Sequence, residues 1–480
     1  MRKTQTPNKR KKVHKAYLNI KMQVFFCVLF LIAIIGLIIP LRPKTSTVEK
    51  RTLTAFPKFT LASFLNGEFL NDVSTWYSDT FPFREALLSA NSGLQSLYGI
   101  QGEQIIQNSN NTGDEIPEGG MMVSATEDEK ESASDAEAAD QSQPANESDS
   151  AQAETEAQTE SVPATYEDGA IHDVPEMSGD VYVTGDTAFG IYYFNLEGAN
   201  AYINMIDKAQ KRLDGVANVY DIVVPTSVGI CLDENAQEKI NSSNQKDAIN
   251  YVTSNINNLN SKVITVDVFD NIKNHNSEYI YFRTDHHWTA LGAYYAYEEF
   301  CKAKGITPTP IDEYEKVEYP NFVGTFYASS NQVQSLKDNP DTVIGYLPKS
   351  TNDMFFLDSS LQRVDWRIVN DVSSYDTGAK YSAFAAADQI YAQIDNPTLT
   401  DGSSCIVIKE SFGNAFIPFL VDHYQHIYIV DYRYFYKYPE YNNSIYQLAT
   451  QNNVTDVIFI NNTSAMSNTV QVQQMSDMFN

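Results

Sequence analysis

Hydrophobic and polar positions divide the chain into four stretches. Val24 to Ile39 is an unbroken apolar run that stops at Pro40. Its length is near the short limit for a membrane-spanning helix, so residues 24–40 are expected to form a transmembrane signal anchor. In residues 45–106, an aromatic turn from Trp76 to Phe83 leads into apolar positions at Leu87, Leu88, Leu94 and Leu97, the spacing of a membrane-proximal helical region. Between Gln107 and Ser178 apolar residues almost disappear, which predicts a disordered linker. Residues 179–480 then alternate short apolar runs with helical periodicity.

Within this last stretch, Val181 to Thr184 and Gly190 to Phe194 predict paired strands across Gly185-Asp186, and Ala199 to Leu213 a helix. Val219 to Val224 reads as a buried strand, Gln237 to Leu259 as a helix, and Val263 to Val268 as a strand. Thr289 caps a helix closed by Gly305. After an irregular interval, Cys405–Ile408, Ile427–Val430 and Val457–Ile460 supply three more strands. Strand and helix alternating in this way predict an α/β fold with a mostly parallel sheet flanked by helices, whose ligands belong at the carboxyl ends of the strands. Residues 306–400 break the alternation; they are rich in Tyr, Asp, Asn and Pro and predict an inserted irregular or β-rich subdomain. Tyr327, Trp366, Tyr381 and Phe384 in it are either core or surfaces for stacking sugars.

Charge changes the picture at both ends. The formal net charge is −27, yet eight Lys and Arg residues and no acidic ones precede Met22, leaving −35 on the remainder. A basic block ahead of an apolar run predicts a basic cytoplasmic tail (1–23), a single-pass cell-membrane protein and an extracellular body. Leu41-Arg42-Pro43-Lys44 is a poor cleavage site, which favours an anchor over a cleaved signal. The 107–178 stretch holds nineteen acidic residues against Lys130 alone, so a solvated spacer accounts for about half of the exported charge. An anionic exterior excludes nucleic acid as a partner. Cys27 lies in the apolar run; Cys231, Cys301 and Cys405 are an odd set, two of them at core positions, and no disulfide framework is expected.

The chemistry gathers at Tyr281-Phe-Arg-Thr-Asp-His-His-Trp-Thr289, which holds two of the chain's seven histidines. Residues two apart on extended backbone share a face, so Asp285 is expected to reach His287 while His286 faces away. A carboxylate on Nδ1 fixes the imidazole tautomer and leaves Nε2 free to deprotonate a hydroxyl. Ser411, between the strand ending at Ile408 and a helix-like run from Ala415, is the matching nucleophile; Phe412, Gly413 and Asn414 would offer backbone N–H groups to an oxyanion. The same residues also suit a structural reading, with Asp-His-His-Trp as a helix-start cluster and Ser411 as a cap. No metal site is expected, since adjacent histidines share an ion poorly and no companion motif stands nearby.

At these residues the chain resembles the DHHW proteins, relatives of the alginate O-acetyltransferases in the SGNH-hydrolase-like superfamily. Asp285, His287, Trp288 and Ser411 match that family's motif. Similar features are Arg51 to Pro57, Asp79 to Arg84, Gly185-Asp186 and Asp431-Tyr-Arg433. The resemblance implies an SGNH-hydrolase-like fold and a Ser-His-Asp O-acetyltransferase that needs no cofactor. It also implies an acyl donor, a polysaccharide acceptor and a multi-pass membrane acyltransferase as partner. Arg433 and His286 join Phe412, Gly413 and Asn414 as the outer set for oxyanion or substrate. Two departures are Glu410, where the family has Asp, and Phe384-Ala-Ala-Ala-Asp388, where a Gly-Asn oxyanion element is expected. A carbohydrate esterase and a non-catalytic polysaccharide-binding or assembly factor are the alternatives.

Overall fold

The structure is a computed structural model that describes residues 42–46, 51–60, 63–64, 68–84, 86–87, 104–106, 112–117 and 180–480. The chain divides into two compact units, Met1–Leu97 and Tyr98–Asn480. The apolar run 24–40 and most of the acidic stretch lie outside the described residues. Among the described residues no helix is long and apolar enough to cross a membrane.

In the first unit a two-stranded hairpin, Thr45–Ser46 with Arg51–Thr52, precedes a helix at Glu68–Asp79. Arg42 ties the two together. Its guanidinium lies 3.9 Å over the Trp76 ring and donates to Thr80 Oγ1 at 2.7 Å. Phe56 meets the edge of the same Trp76 ring at 4.8 Å. The apolar positions expected to continue a helix through Leu88, Leu94 and Leu97 lie outside the described residues.

The second unit is a mixed α/β fold around one eight-stranded sheet. Its strands in chain order are β1 (Asn218–Val224), β2 (Ile264–Thr265), β3 (Asp353–Leu357), β4 (Arg363–Arg367), β5 (Ala392–Asp395), β6 (Ser404–Lys409), β7 (His426–Asp431) and β8 (Asp456–Asn462). The spatial order is β4-β3-β5-β7-β6-β8-β1-β2. From β2 to β7 every pairing is parallel, and from β7 through β5 and β3 to β4 every pairing is antiparallel. β6 and β8 carry unbroken burial, as interior parallel strands covered on two faces should.

Five helices build the layers around the site: α1 (Leu196–Leu213), α2 (Gln245–Leu259), α3 (Ala290–Lys304), α4 (Phe412–Leu420) and α5 (Thr469–Asp477). α1 packs on β1, α2 and α5, whereas α3 packs on α4 and α4 lies on β6 and β8. α3 begins and ends as its sequence predicts. The Thr289 hydroxyl accepts the Gly292 N–H, and Gly305 closes the helix at φ 76°, a conformation that favours glycine.

Several boundaries differ from the sequence pattern. The run 263–268 pairs only at Ile264–Thr265, at the sheet edge. The strand expected from Gly190 to Phe194 is instead Thr187–Gly190, because the turn at Gly185 sets Val183 opposite Ala188 and the pairing stops four residues on. Residues 306–400 are β-rich, as expected, but β3, β4 and β5 from this stretch are hydrogen-bonded into the main sheet. The remaining hairpin, Glu315–Phe322 with Asp341–Leu347, stands as its own two-stranded sheet.

The described residues at the two ends of the acidic stretch belong to the second unit. Gln104–Ile106 pairs antiparallel with Val181–Thr184, so the chain leaves a three-stranded sheet after Ile106 and rejoins it at Val181. Residues 112–117, inside the expected linker, touch the folded unit. Asp114 N–H donates to Phe194 O at 2.8 Å, and the Asp114 carboxylate accepts the Leu196 N–H at the start of α1.

Candidate functional site

Three carboxyl strand ends converge where the chemistry was expected. β6 runs into Glu410 and Ser411 before α4 starts at Phe412; β8 ends at Asn462, and β7 at Asp431. Residues 281–288 fold over this edge. Tyr281 bridges Trp288, and the Phe282 N–H donates to His287 O at 3.2 Å. Trp288, fully buried, donates its indole N–H to Phe412 O at 2.9 Å and thereby ties the histidine loop to the turn that carries Ser411.

In this arrangement Asp285, His287 and Ser411 form a continuous row. The His287 Nδ1–H donates to Asp285 Oδ1 at 2.6 Å, and the His287 backbone N–H reaches the same oxygen at 3.0 Å. His287 Nε2 then stands 2.7 Å from Ser411 Oγ. Burial would raise the Asp285 carboxyl, yet the two imidazoles and the hydrogen bonds from His287 and Thr325 hold it well below the usual carboxylate range. The ionised Asp285 fixes the proton on Nδ1, so Nε2 is a bare acceptor for the serine hydroxyl.

Glu410 competes for that hydroxyl from 3.2 Å, a longer approach than that of His287. The Glu410 carboxylate is wholly buried and also accepts the Phe412 N–H at 3.0 Å and the Asn462 N–H at 3.0 Å, which staples β6 to β8 beside the serine. The N–H groups expected to receive an oxyanion have partners within the turn. The Phe412 N–H is held by Glu410, the Gly413 N–H donates to Glu410 O, and the Asn414 N–H donates to Ser411 O. The first turn of α4 uses these groups itself, because a carboxylate precedes the serine and closes the turn on the helix start.

His286 also departs from expectation. The alternation that would turn it away holds only for extended backbone, and residues 283–287 bend. Its ring therefore lies beside His287, with centroids 3.8 Å apart and a 36° tilt. His286 Nδ1 is 2.7 Å from Thr325 Oγ1. Thr325 also donates its N–H and its hydroxyl to Asp285 Oδ2, at 2.8 and 3.0 Å.

Nothing in the local sequence around Asp285 points to Thr325, forty residues downstream. The available signal is Gly324 before it. A Cβ at that position would lie 2.3 Å from Asp285 Oδ2, so only glycine lets this segment reach the carboxylate.

Tyr381 lies against His287 on its open face, with centroids 3.8 Å apart and planes 12° apart, and donates to Ser411 O at 3.1 Å. Burial, reinforced by the Glu410, Asp285 and Asp388 carboxylates, raises its phenol and keeps that donor protonated. Of the other aromatics considered for sugar stacking, Phe384 is fully buried, and Tyr327 and Trp366 are half-buried.

Beneath the turn is a second constellation. Lys409 Nζ contacts Asp388 Oδ1 at 2.7 Å and Asp431 Oδ2 at 3.4 Å, and Arg433 bridges Asp431 at 2.6 Å and Asp388 at 3.0 Å. Asn414 Nδ2 also donates to Asp388 Oδ1. Arg433 is thus placed in a buried charge network. The Phe384–Asp388 segment supplies Asp388 to this network. Ala385, Ala386 and Ala387 all adopt left-handed backbone, at φ 47°, 58° and 59°. Each is disfavoured for a residue with a Cβ, by about 1–2 kcal/mol. Hydrogen bonds from the Ala385 N–H to Ile368 O and from Lys409 Nζ to Ala387 O offset that cost.

Asp285, His286 and His287 hold ligand-type atoms within 4.8 Å of one another. Both Asp285 oxygens and both Nδ1 atoms are engaged in the hydrogen bonds above, so a cation could take this set only by dismantling the row to Ser411.

Residues 49–430 match the family described as DHHW protein. No curated protein matches the chain. Among solved structures, a DHHW family protein from Eubacterium siraeum DSM 15702 superposes with a TM-score of 0.53 at 28% identity, covering 62% of this chain and 94% of that one. Bacillus cereus PatB1 superposes with a TM-score of 0.51 at 21% identity, over 62% of this chain and 98% of that one. PatB1 with a sulfonyl adduct gives 0.50 at 19%, over 60% and 96%. The PatB1 likeness is one of fold.

Proposed function

The chain belongs to the DHHW protein family, and from that premise we propose that it is an O-acyltransferase, an acetyltransferase on a cell-surface or secreted polysaccharide. Ser411 Oγ attacks the acyl carbonyl of the donor while His287 Nε2 takes its proton and Asp285 orients and stabilises the imidazolium. His287 returns the proton to the leaving group, leaving an acyl-Ser411. An acceptor hydroxyl then repeats the sequence in reverse, giving its proton to His287 and taking the acyl group. The oxyanion takes the Phe412 N–H only by displacing Glu410 from it.

The observation that carries this reading is the row of hydrogen bonds from Asp285 Oδ1 through His287 to Ser411 Oγ, at 2.6 and 2.7 Å. Transfer is favoured over hydrolysis because Ser411 is 1% and His287 4% exposed, which limits water at the acyl group. Membrane anchoring with an extracellular body belongs to the same reading and rests on the basic tail and the apolar run 24–40. It brings the site to polysaccharide outside the cell, with the acyl donor delivered across the membrane by a multi-pass acyltransferase.

The test is acylation by p-nitrophenyl acetate. Wild type should release one burst equivalent of nitrophenol and gain one acetyl group by intact mass, whereas Ser411→Ala should do neither while melting like wild type. Equal labelling of both proteins would end the serine mechanism.

A further inference from the structure

Asp285 serves two imidazoles. Oδ1 accepts from His287, and Oδ2 accepts the Thr325 hydroxyl proton. A threonine hydroxyl has one proton; with that proton on Asp285 Oδ2, the 2.7 Å contact to His286 must be the His286 Nδ1–H donating to Thr325 Oγ1. His286 and His287 therefore share one tautomer, and each keeps Nε2 as a bare lone pair on the ring edge away from Nδ1. For His287 that atom meets Ser411 Oγ. For His286 it is buried without a hydrogen-bond partner. Burial, with His287 next to it, lowers His286 to about 3, so the ring is neutral near pH 7 and its Nε2 can only accept. His286 is 6% exposed, and a buried acceptor left without a hydrogen bond is destabilising. The two rings lie 3.8 Å apart, centroid to centroid, so an acceptor held against His287 has its neighbouring group beside His286.

We infer that His286 Nε2 is the binding site for a second hydroxyl of the acceptor, the one next to the hydroxyl that is acylated, so that the acceptor class is a vicinal diol. This rests on the acyl-transfer reading. As His287 takes the proton of the attacking hydroxyl, its neighbour donates a hydrogen bond to His286 Nε2 and is not itself deprotonated. One carboxylate thus aligns both rings, and a lone alcohol leaves His286 unpaired. Thr325 is a positioning residue, since it acts through His286.

The experiment uses the full-length protein acetylated with p-nitrophenyl acetate, with deacylation measured against cis- and trans-cyclohexane-1,2-diol and against cyclohexanol. In wild type one of the diols should capture the acetyl group about tenfold faster than cyclohexanol. His286→Phe, which keeps a ring and removes the acceptor atom, should bring that ratio close to one. His286→Gln, whose amide oxygen can reach the Nε2 position, should restore part of it. A ratio near one in wild type overturns the inference without any variant. So does an undiminished ratio in folded His286→Phe, or a wild-type preference abolished by EDTA, which would assign Nε2 to a cation. Absence of the acylation burst in wild type is a different failure; it removes the acyl-transfer reading and this inference with it.

Discussion

Among the buried carboxylates near the Ser411 turn, Asp285 and Asp388 have partners that make them different groups. Asp285 is held by imidazoles and a threonine, Asp388 by Lys409, Arg433 and Asn414. Both are ionised. In Asp388 burial again pushes upward and is overcome, here by the Lys409 and Arg433 charges, leaving the carboxyl well below the usual range. The difference is what ionisation does. The charge of Asp285 fixes the tautomer of a neutral ring whose Nε2 faces the Ser411 hydroxyl. That of Asp388 is neutralised on the spot by fixed cations and anchors the strand that carries the serine. On the proposed reading, orientation for chemistry and anchoring for stability thus fall to separate carboxylates.

The largest effect should come from Asp285→Asn. An amide permits the wrong His287 tautomer, and acylation should fall by about a thousandfold to ten-thousandfold with little change in melting temperature. Stopped-flow bursts with a parallel melt check this; a folded variant within tenfold of wild type would place Asp285 in the structural class with Asp388.

Lys409→Met should do the reverse. It leaves Asp388 and Asp431 in the interior with Arg433 as their remaining cation, and unfolding by denaturant should show a loss of about 3–5 kcal/mol. A loss below about 1 kcal/mol would mean that the network is dispensable.

The smallest effect sharpens the comparison through a third carboxylate. The Asp221 carboxyl, wholly buried on β1, accepts the Tyr202 hydroxyl at 2.6 Å, and burial raises it to about 7. A raised carboxyl holds its proton in the folded state while the unfolded chain releases it. Its stabilising contribution is therefore complete below the ordinary value of 3.8 and is lost as pH rises toward 7. Asp221→Asn keeps an acceptor for Tyr202 and cannot ionise. The variant should gain a few degrees of melting temperature over wild type at pH 8 and little at pH 4. Parallel curves across that range would show that Asp221 does not titrate on unfolding. For Asp285 and Asp388 the sign is opposite, and their contributions are present at neutral pH and lost in acid.

Much of this was legible in the chain because it is local. Buried parallel strands announce themselves as continuous apolar runs, as at Cys405–Ile408, and α3 is marked by Thr289 at its start and Gly305 at its end. The pairing of Asp285 with His287, two residues apart, and the choice of Ser411 after a core strand rest on the same kind of near-neighbour chemistry. The membership of β3, β4 and β5 in the main sheet was not legible, since antiparallel partners such as Ala392 and Ile429 are chosen by packing across distant sequence.

What sequence by itself determined is the set of elements and the identity of the row Asp285, His287 and Ser411, because periodicity and residue type act over a few positions. Tertiary structure alone decided what surrounds that row. The bend at 283–287 turned His286 alongside His287, and Gly324 admitted Thr325 to the free oxygen of Asp285. Glu410 closed the turn on the Phe412 N–H. Each of these depends on which group reaches a buried lone pair or N–H first, and that competition is settled only when segments far apart in the chain are packed against each other.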